Sequence, residues 1–123
     1  MASGGGELYI NDTGLLSKLE ISNTIIKPYV FYNCKSLESV VFSNGLTEIG
    51  GCAFYNCPRL VSLQFGQIVE EDKLTISDNA FNRSININTI GCYDTKEVWD
   101  NNVIVGEGNE PLRPGSVSYF YGL

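Results

Sequence analysis

Four cysteines, Cys34, Cys52, Cys57 and Cys92, are the residues of this chain best suited to chemistry. Thiolates ligate metals, form disulfides or act as nucleophiles. A structural zinc site uses close-spaced cysteine pairs, or cysteine with histidine. The spacings here are 18, 5 and 35 residues, and the chain has no histidine. Both facts argue against zinc. Without an imidazole there is also no Ser-His or Cys-His nucleophile pair. A carboxylate pair remains as a source of acid–base work, and the nearest cluster is Glu70-Glu71-Asp72. It lacks a Gly-rich turn and alternating ligand spacing, so it reads as solvated loop charge, with weak calcium binding as the alternative. "GEGNE" at 106–110 is a lone G-x-G without a phosphate-loop lysine and reads as a turn. No catalytic residue, metal or cofactor is expected, and enzymatic activity ranks last among the functions.

A chain of 123 residues is one domain by length. That is long enough to bury a sizeable core without staples. Glycine (13) and asparagine (12) are frequent, which predicts many turns. A net charge of −6, with Lys and Arg scattered singly, argues against nucleic acid. No run of 18 apolar residues is present, so no transmembrane helix is expected. "MASGGGE" at residues 1–7 looks like a linker and is set apart from the fold.

What must position these residues is a repeat. "YVFYNC" (29–34) and "CAFYNC" (52–57) share F-Y-N-C at an interval of 23 residues. Leu37, Val40 and Phe42 match Leu60, Leu63 and Phe65 at the same interval. An isoleucine stands five residues before each phenylalanine: Ile26 before Phe31, Ile49 before Phe54, Ile76 before Phe81. The last interval is 27 residues, so that unit carries an insertion between Phe65 and Ile76. An earlier copy places Leu16, Leu19 and Ile21 in the Leu37, Val40 and Phe42 slots. About three units therefore span residues 8–84, the number a stacked array needs.

The core pattern L-x-x-V-x-F ends in strand-like alternation. Units this short cannot bury an apolar face alone, so they stack as parallel strands about 4.8 Å apart. Ser-Asn at 22–23 and 43–44 reads as a turn after a strand. "GGCAFYNC" is too short for a helix and predicts one helical turn or a second short strand.

"AFYNCPRLVSLQF", with "LTEIG" before it, resembles the BspA-like class of leucine-rich repeats. "CYDTKEVWDNNVIVGEGNEPLRPGSVSYFY" resembles the closing segment of many such proteins. Here Ser43 and Gly66 replace the usual proline after the strand, and Asp94 and Gly115 replace a glycine and an alanine of the closing segment. The resemblance covers residues 15–121. It implies a mainly β solenoid with short helical turns and a C-terminal cap. It also implies a bacterial surface or secreted protein that attaches to host proteins or other cells.

Residues 85–123 read as that cap without the family too. Asp94 is a candidate N-cap with Glu97 as capping-box partner, ahead of Val98 and Trp99. "NVIVG" and "SVSYFYG" read as two strands, with Pro111 and Pro114 between them. An array needs its open end covered. The alternative role is a ligand platform of Trp99, Tyr119 and Tyr121.

Stacking makes Cys34 and Cys57 neighbours. The favoured reading is a ladder of small buried thiols, since one strand spacing lies near the lower limit for a disulfide. Arg83 or Ser84 would occupy the slot in the third unit. A Cys52–Cys92 pair stays open. With Leu37, Val40 and Phe42 inward, Glu38 and Val41 face out. Lys18 and Glu20 are their expected equivalents in the unit before, and Val61 and Gln64 in the unit after. Tyr32 and Tyr55 should stack one unit apart. These eight residues are the candidate contact surface for a protein partner, host or extracellular-matrix protein included, or for a glycan. The competing expectation is a structural spacer in a larger cell-wall-associated protein.

Overall fold

A computed structural model describes residues 7–8, 17–69, 71–112 and 115–120. The linker-like residues 1–6, Leu16, Glu70, Pro114 and Tyr121 lie outside the described residues. Along the chain run β1 (Glu7–Leu8), β2 (Lys18–Ile21), β3 (Ile25–Ile26), β4 (Ser39–Phe42) and β5 (Glu48–Ile49). They are followed by β6 (Ser62–Phe65), β7 (Leu74–Ile76), β8 (Thr89–Cys92), α1 (Lys96–Asn102), β9 (Val103–Val105) and β10 (Val117–Tyr119).

Successive strands alternate between two sheets, and every pairing is parallel. One sheet has the order β10-β8-β6-β4-β2, the other β1-β3-β5-β7-β9. Each coil thus lays one longer and one shorter strand on the coil before it, which is a solenoid. The expected period sets the register: Val40 pairs with Leu63 and Leu63 with Ile90, all pointing inward. Ile26, Ile49 and Ile76 line up on the opposite side of the core. The 27-residue unit keeps this register because its extra residues bulge out before Lys73, in a turn held by Lys73 N–H on the Val69 carbonyl at 2.8 Å. Both sheets run past residue 84, through β8 and β9 and, in the longer-strand sheet, β10.

"GGCAFYNC" forms neither a helical turn nor a strand. The short strand lies just before it, at Glu48–Ile49, and residues 51–56 are a turn. The reason is backbone conformation. Tyr29, Cys52 and Asn79, each two residues before the phenylalanine, have φ of 65°, 56° and 62°. Asn33, Asn56 and Arg83, each two residues after it, have φ of 60°, 55° and 66°. Left-handed residues end both helix and strand, and asparagine tolerates them best after glycine. Between the two bends, Phe31 N–H donates to the Ala53 carbonyl and Asn33 N–H to Tyr55, both at 2.8 Å. Phe54 and Asn56 repeat this on Ala80 and Asn82. The turns therefore form a third hydrogen-bonded column beside the two sheets.

Phenylalanines stack along the axis. Ring centroids of Phe31 and Phe54 lie 5.0 Å apart, those of Phe54 and Phe81 5.1 Å, and those of Phe42 and Phe65 4.8 Å. All five rings are buried. At the C-terminal end Trp99 closes the stack with its ring edge-on to Phe65 at 5.2 Å. The helix that carries Trp99 starts one residue later than expected. Thr95, not Asp94, is its N-cap, with Thr95 Oγ1 accepting from Val98 N–H at 3.1 Å. Asp94 instead accepts from Ile68 N–H of the preceding coil at 3.2 Å and from Thr95 N–H at 2.9 Å. A neighbouring coil needed that carboxylate, so no Asp94–Glu97 capping box forms.

The turn column ends on a side chain. Asn109, buried, accepts from Phe81 N–H at 2.9 Å and donates to the Ser77 and Gly106 carbonyls, each at 2.9 Å. Asn109→Ala orphans these groups and should destabilise the fold by about 2–4 kcal/mol, read as a lower urea midpoint. Phe54→Ala removes the middle ring of the stack and should cost about 3–5 kcal/mol. Arg83→Asn should raise the midpoint, because the left-handed bend costs an arginine roughly 1 kcal/mol more than it costs asparagine.

Candidate functional site

Outward positions of the longer-strand sheet form rows set by the register. Glu20 pairs with Val41, Val41 with Gln64, and Gln64 with Gly91. Glu38 and Val61 stand in a second row, where Val61 N–H donates to the Glu38 carbonyl at 2.9 Å. Lys18 does not join that row as expected. It pairs with Ser39, ahead of Ser62 and Thr89. The neighbour of Glu38 is Ser17, because Glu38 and Ser39 N–H groups both donate to the Ser17 carbonyl, at 2.7 and 3.1 Å. Two residues face one at this entry, which shifts the row by a residue. Lys18, Glu20, Glu38, Val41 and Val61 are exposed and Gln64 is half-buried.

Phe120 closes the first row. A Cβ built on Gly91 would lie 2.7 Å from the Phe120 ring, so the ring lies over the glycine on the outer face. Tyr93 flanks it at 4.9 Å. This aromatic pair was not anticipated; "TIGCY" gives no local sign that a ring ten coil positions later needs a glycine beneath it.

On the turn column, Tyr32 and Tyr55 stack as expected, with centroids 5.0 Å apart and planes 7° from parallel. Tyr29 adds a third ring, 5.5 Å from Tyr32 and 62% exposed. Its place in the repeat is held by Cys52 in the next coil, so periodicity gave no sign of it. Hydrogen bonding to the Cys52 thiol raises the Tyr29 hydroxyl above its ordinary pKa. Beneath the stack Asn56 Nδ2 donates to Asn33 Oδ1 at 2.9 Å.

All four cysteines are free. Cys34, Cys57 and Ser84 occupy equivalent slots, and the hydroxyl explains the exchange. Cys57 Sγ donates to the Phe31 carbonyl at 3.2 Å, as Ser84 Oγ does to the Phe54 carbonyl at 2.5 Å. Ser84 Oγ also accepts from Cys57 N–H at 2.8 Å. The slot requires a small hydrogen-bonding donor, which Ser and Cys both supply. Its contact with Cys34, then burial, pushes the Cys57 thiol far up. Burial, then the Asp94 carboxylate, pushes Cys92 up to about 11. Raised values leave these thiols protonated and unreactive.

Glu71 and Asp72 are exposed in the inserted loop, and no group of three His, Cys, Asp or Glu converges among the described residues. Trp99 is buried rather than displayed, and with Val103, Val105, Leu112, Val117 and Tyr119 it lines a groove of about 370 Å³ at the end of the array. Among the described residues no helix is long and apolar enough to cross a membrane.

Parallel strands, a coil of about 23 residues and inward Leu, Val and Phe define a leucine-rich repeat solenoid. The chain belongs to the BspA type Leucine rich repeat region family, whose pattern matches in six copies over residues 9–104. That span passes residue 84 and takes in β8 and β9. No match was found among curated proteins or among solved structures. Leucine-rich repeats form protein-interaction modules, generally without catalytic activity.

Because the thiolate is the reactive form, a soluble maleimide at neutral pH should label half-buried Cys52 quickly in the folded protein. Cys34, Cys57 and Cys92 should react only in denaturant; a second fast native thiol would contradict the ladder. The folded pKa of Cys92 is raised from 9.0 to about 11. The resulting stability is complete below the unfolded value and is lost as pH rises toward the folded one. Thermal melts from pH 9 to 11 should therefore fall less steeply for Cys92→Ser than for the native chain.

Proposed function

We propose that this chain is a non-enzymatic adhesion module of a bacterial cell-surface or secreted protein. Its outward rows meet a protein partner, a host or extracellular-matrix protein among the candidates. Residues 8–84 supply the repeats of the binding surface, and residues 85–123 close the array. The observation that carries this reading is the row of Glu20, Val41 and Gln64, three dissimilar side chains fixed side by side on a rigid parallel sheet. Val41 and Val61 are 36% and 38% exposed on that side, without a structural need to be apolar there. Lys18, Glu38, Tyr32 and Tyr55 extend the contact area. A glycan is the second reading, favoured by the three clustered rings of Tyr29, Tyr32 and Tyr55.

Immobilised matrix proteins and cell-wall glycans should distinguish the readings. Retention by a matrix protein, weakened about tenfold or more by Val41→Asp with Gln64→Arg and unchanged by Glu48→Lys on the other sheet, supports the protein-binding reading. Retention by glycans alone, lost in Tyr32→Ala, supports the second. Retention by neither leaves the spacer role and overturns both.

A further inference from the structure

We propose that the side of the solenoid built from residues 32–37, 55–61 and 82–88 docks an extended acidic segment of a partner protein, one apolar side chain of which seats between Ile85 and Pro111. This rests on the protein-binding reading and names the chemistry of the partner.

The three segments lie side by side. Asn33 N–H donates to the Tyr55 carbonyl and Asn56 N–H to Asn82, both at 2.8 Å. Asn86 Nδ2 reaches the Pro58 carbonyl at 2.6 Å, and Asn88 N–H reaches Val61 at 3.0 Å. The chain has 14 Asp and Glu against 8 Lys and Arg, yet none of the 14 falls in these segments. Three cations do: Lys35, Arg59 and Arg83, all exposed. Among the described residues the ion pair formed is Lys96 with Asp100, on α1, so these three cations carry uncompensated charge. An acidic protein thus keeps one positive side. Acidic partners are repelled elsewhere and accepted here, which gives orientation as well as attraction.

Geometry selects an extended chain. Three coils at one strand spacing each place Lys35 and Arg83 two spacings apart, roughly 10 Å along the axis. A strand-like peptide advances about 3.3 Å per residue, so three or four residues cross the cations. Tyr32 and Tyr55 border this path with parallel rings and flank the peptide. In the third coil the surface sinks into a groove of about 350 Å³, lined by Phe81, Arg83, Ile85, Ile87, Glu110 and Pro111. Ile85 is 81% exposed there, an apolar side chain that the chain itself leaves uncovered. Cations next to an apolar socket fit an acidic segment with one large apolar residue. Glu110 is the unfavourable charge at the far rim.

Fluorescein-labelled peptides test this by anisotropy with the full chain: an acidic heptapeptide of Glu and Asp around one leucine, its leucine-to-glycine version, and a lysine counterpart. The acidic peptide should bind. Affinity should fall at least about tenfold in the triple variant Lys35→Glu, Arg59→Glu, Arg83→Glu, and several-fold in about 0.5 M salt. The glycine version should bind several-fold more weakly, and Glu110→Gln should tighten binding. All of these positions but Glu110 lie on exposed turns, and circular dichroism of the triple variant confirms that it folds. Equal binding of the lysine peptide, or an unchanged triple variant, overturns the proposal. So does binding of a uronate oligosaccharide in preference to the peptide. If a matrix protein is retained through Val41 and Gln64 while the triple variant loses nothing, this proposal falls and the protein-binding reading stands. If the acidic peptide binds as described and no matrix protein is retained, the outward rows fail as the contact surface and this site stands.

Discussion

Each coil of this molecule must satisfy its backbone against the coils on either side, and it does so in three columns: two parallel sheets and the turns between them. A buried peptide group without a partner costs about as much as a lost hydrogen bond, so no coil can slip by a residue in one column while holding the others. This locks the 23-residue interval. It also decides where extra residues go. The unit of 27 residues makes its insertion in the stretch after Phe65, where the chain leaves one sheet before entering the next, and rejoins the ladder with Ile76 beside Ile49. Where the columns run out of backbone, a side chain replaces it: Asn109 accepts from Phe81 N–H as a carbonyl of a further coil would.

The letters F-Y-N-C have separate causes within that lock. Phenylalanine recurs because equivalent rings meet at about 5 Å, and only a planar side chain packs on its own copy at that distance without a void. Asparagine marks the left-handed bend that sends the chain back toward the longer strand. Cysteine is a hydrogen-bond donor small enough for the space behind the bend, as Ser84 demonstrates by doing the same with a hydroxyl. Tyrosine is not fixed by the core at all; Asn82 takes its place in the third coil, and the hydroxyl end faces water. Of the four letters it is the one whose identity the fold leaves free.

What could be read from the sequence follows the same division. The longer strands, their register and their inward residues were legible, since Leu, Val and Phe recur at one interval and alternate within it. The second sheet was not, because strands of two or three residues such as Glu48–Ile49 carry no internal periodicity. Local rules failed where a neighbouring coil competed. Asp94 makes a good N-cap on its own but serves Ile68, and Lys18 falls one residue out of its expected row because Ser17 accepts two N–H groups. The stacked Tyr32 and Tyr55 of the candidate surface were legible from the interval. Tyr29 and the Phe120–Gly91 contact were not, since neither repeats.

A solenoid separates the residues that fold it from the residues it displays, and the separation is positional. Inward slots accept little beyond Leu, Ile, Val, Phe and the small Cys or Ser. Outward slots at the same height hold Glu20, Val41 and Gln64 without consequence for the ladder. Charge can then accumulate by side. Glu48, Asp78 and Glu107 are exposed in or just after the short-strand column, whereas Lys35, Arg59 and Arg83 cluster past the phenylalanine turns. Because adjacent coils are about 5 Å apart and salt screens charge only over about 8–10 Å, like charges in neighbouring coils act together on an approaching molecule. Single substitutions at outward slots therefore change what the surface attracts without changing the fold. That independence is the physical basis for one repeat architecture presenting many different surfaces.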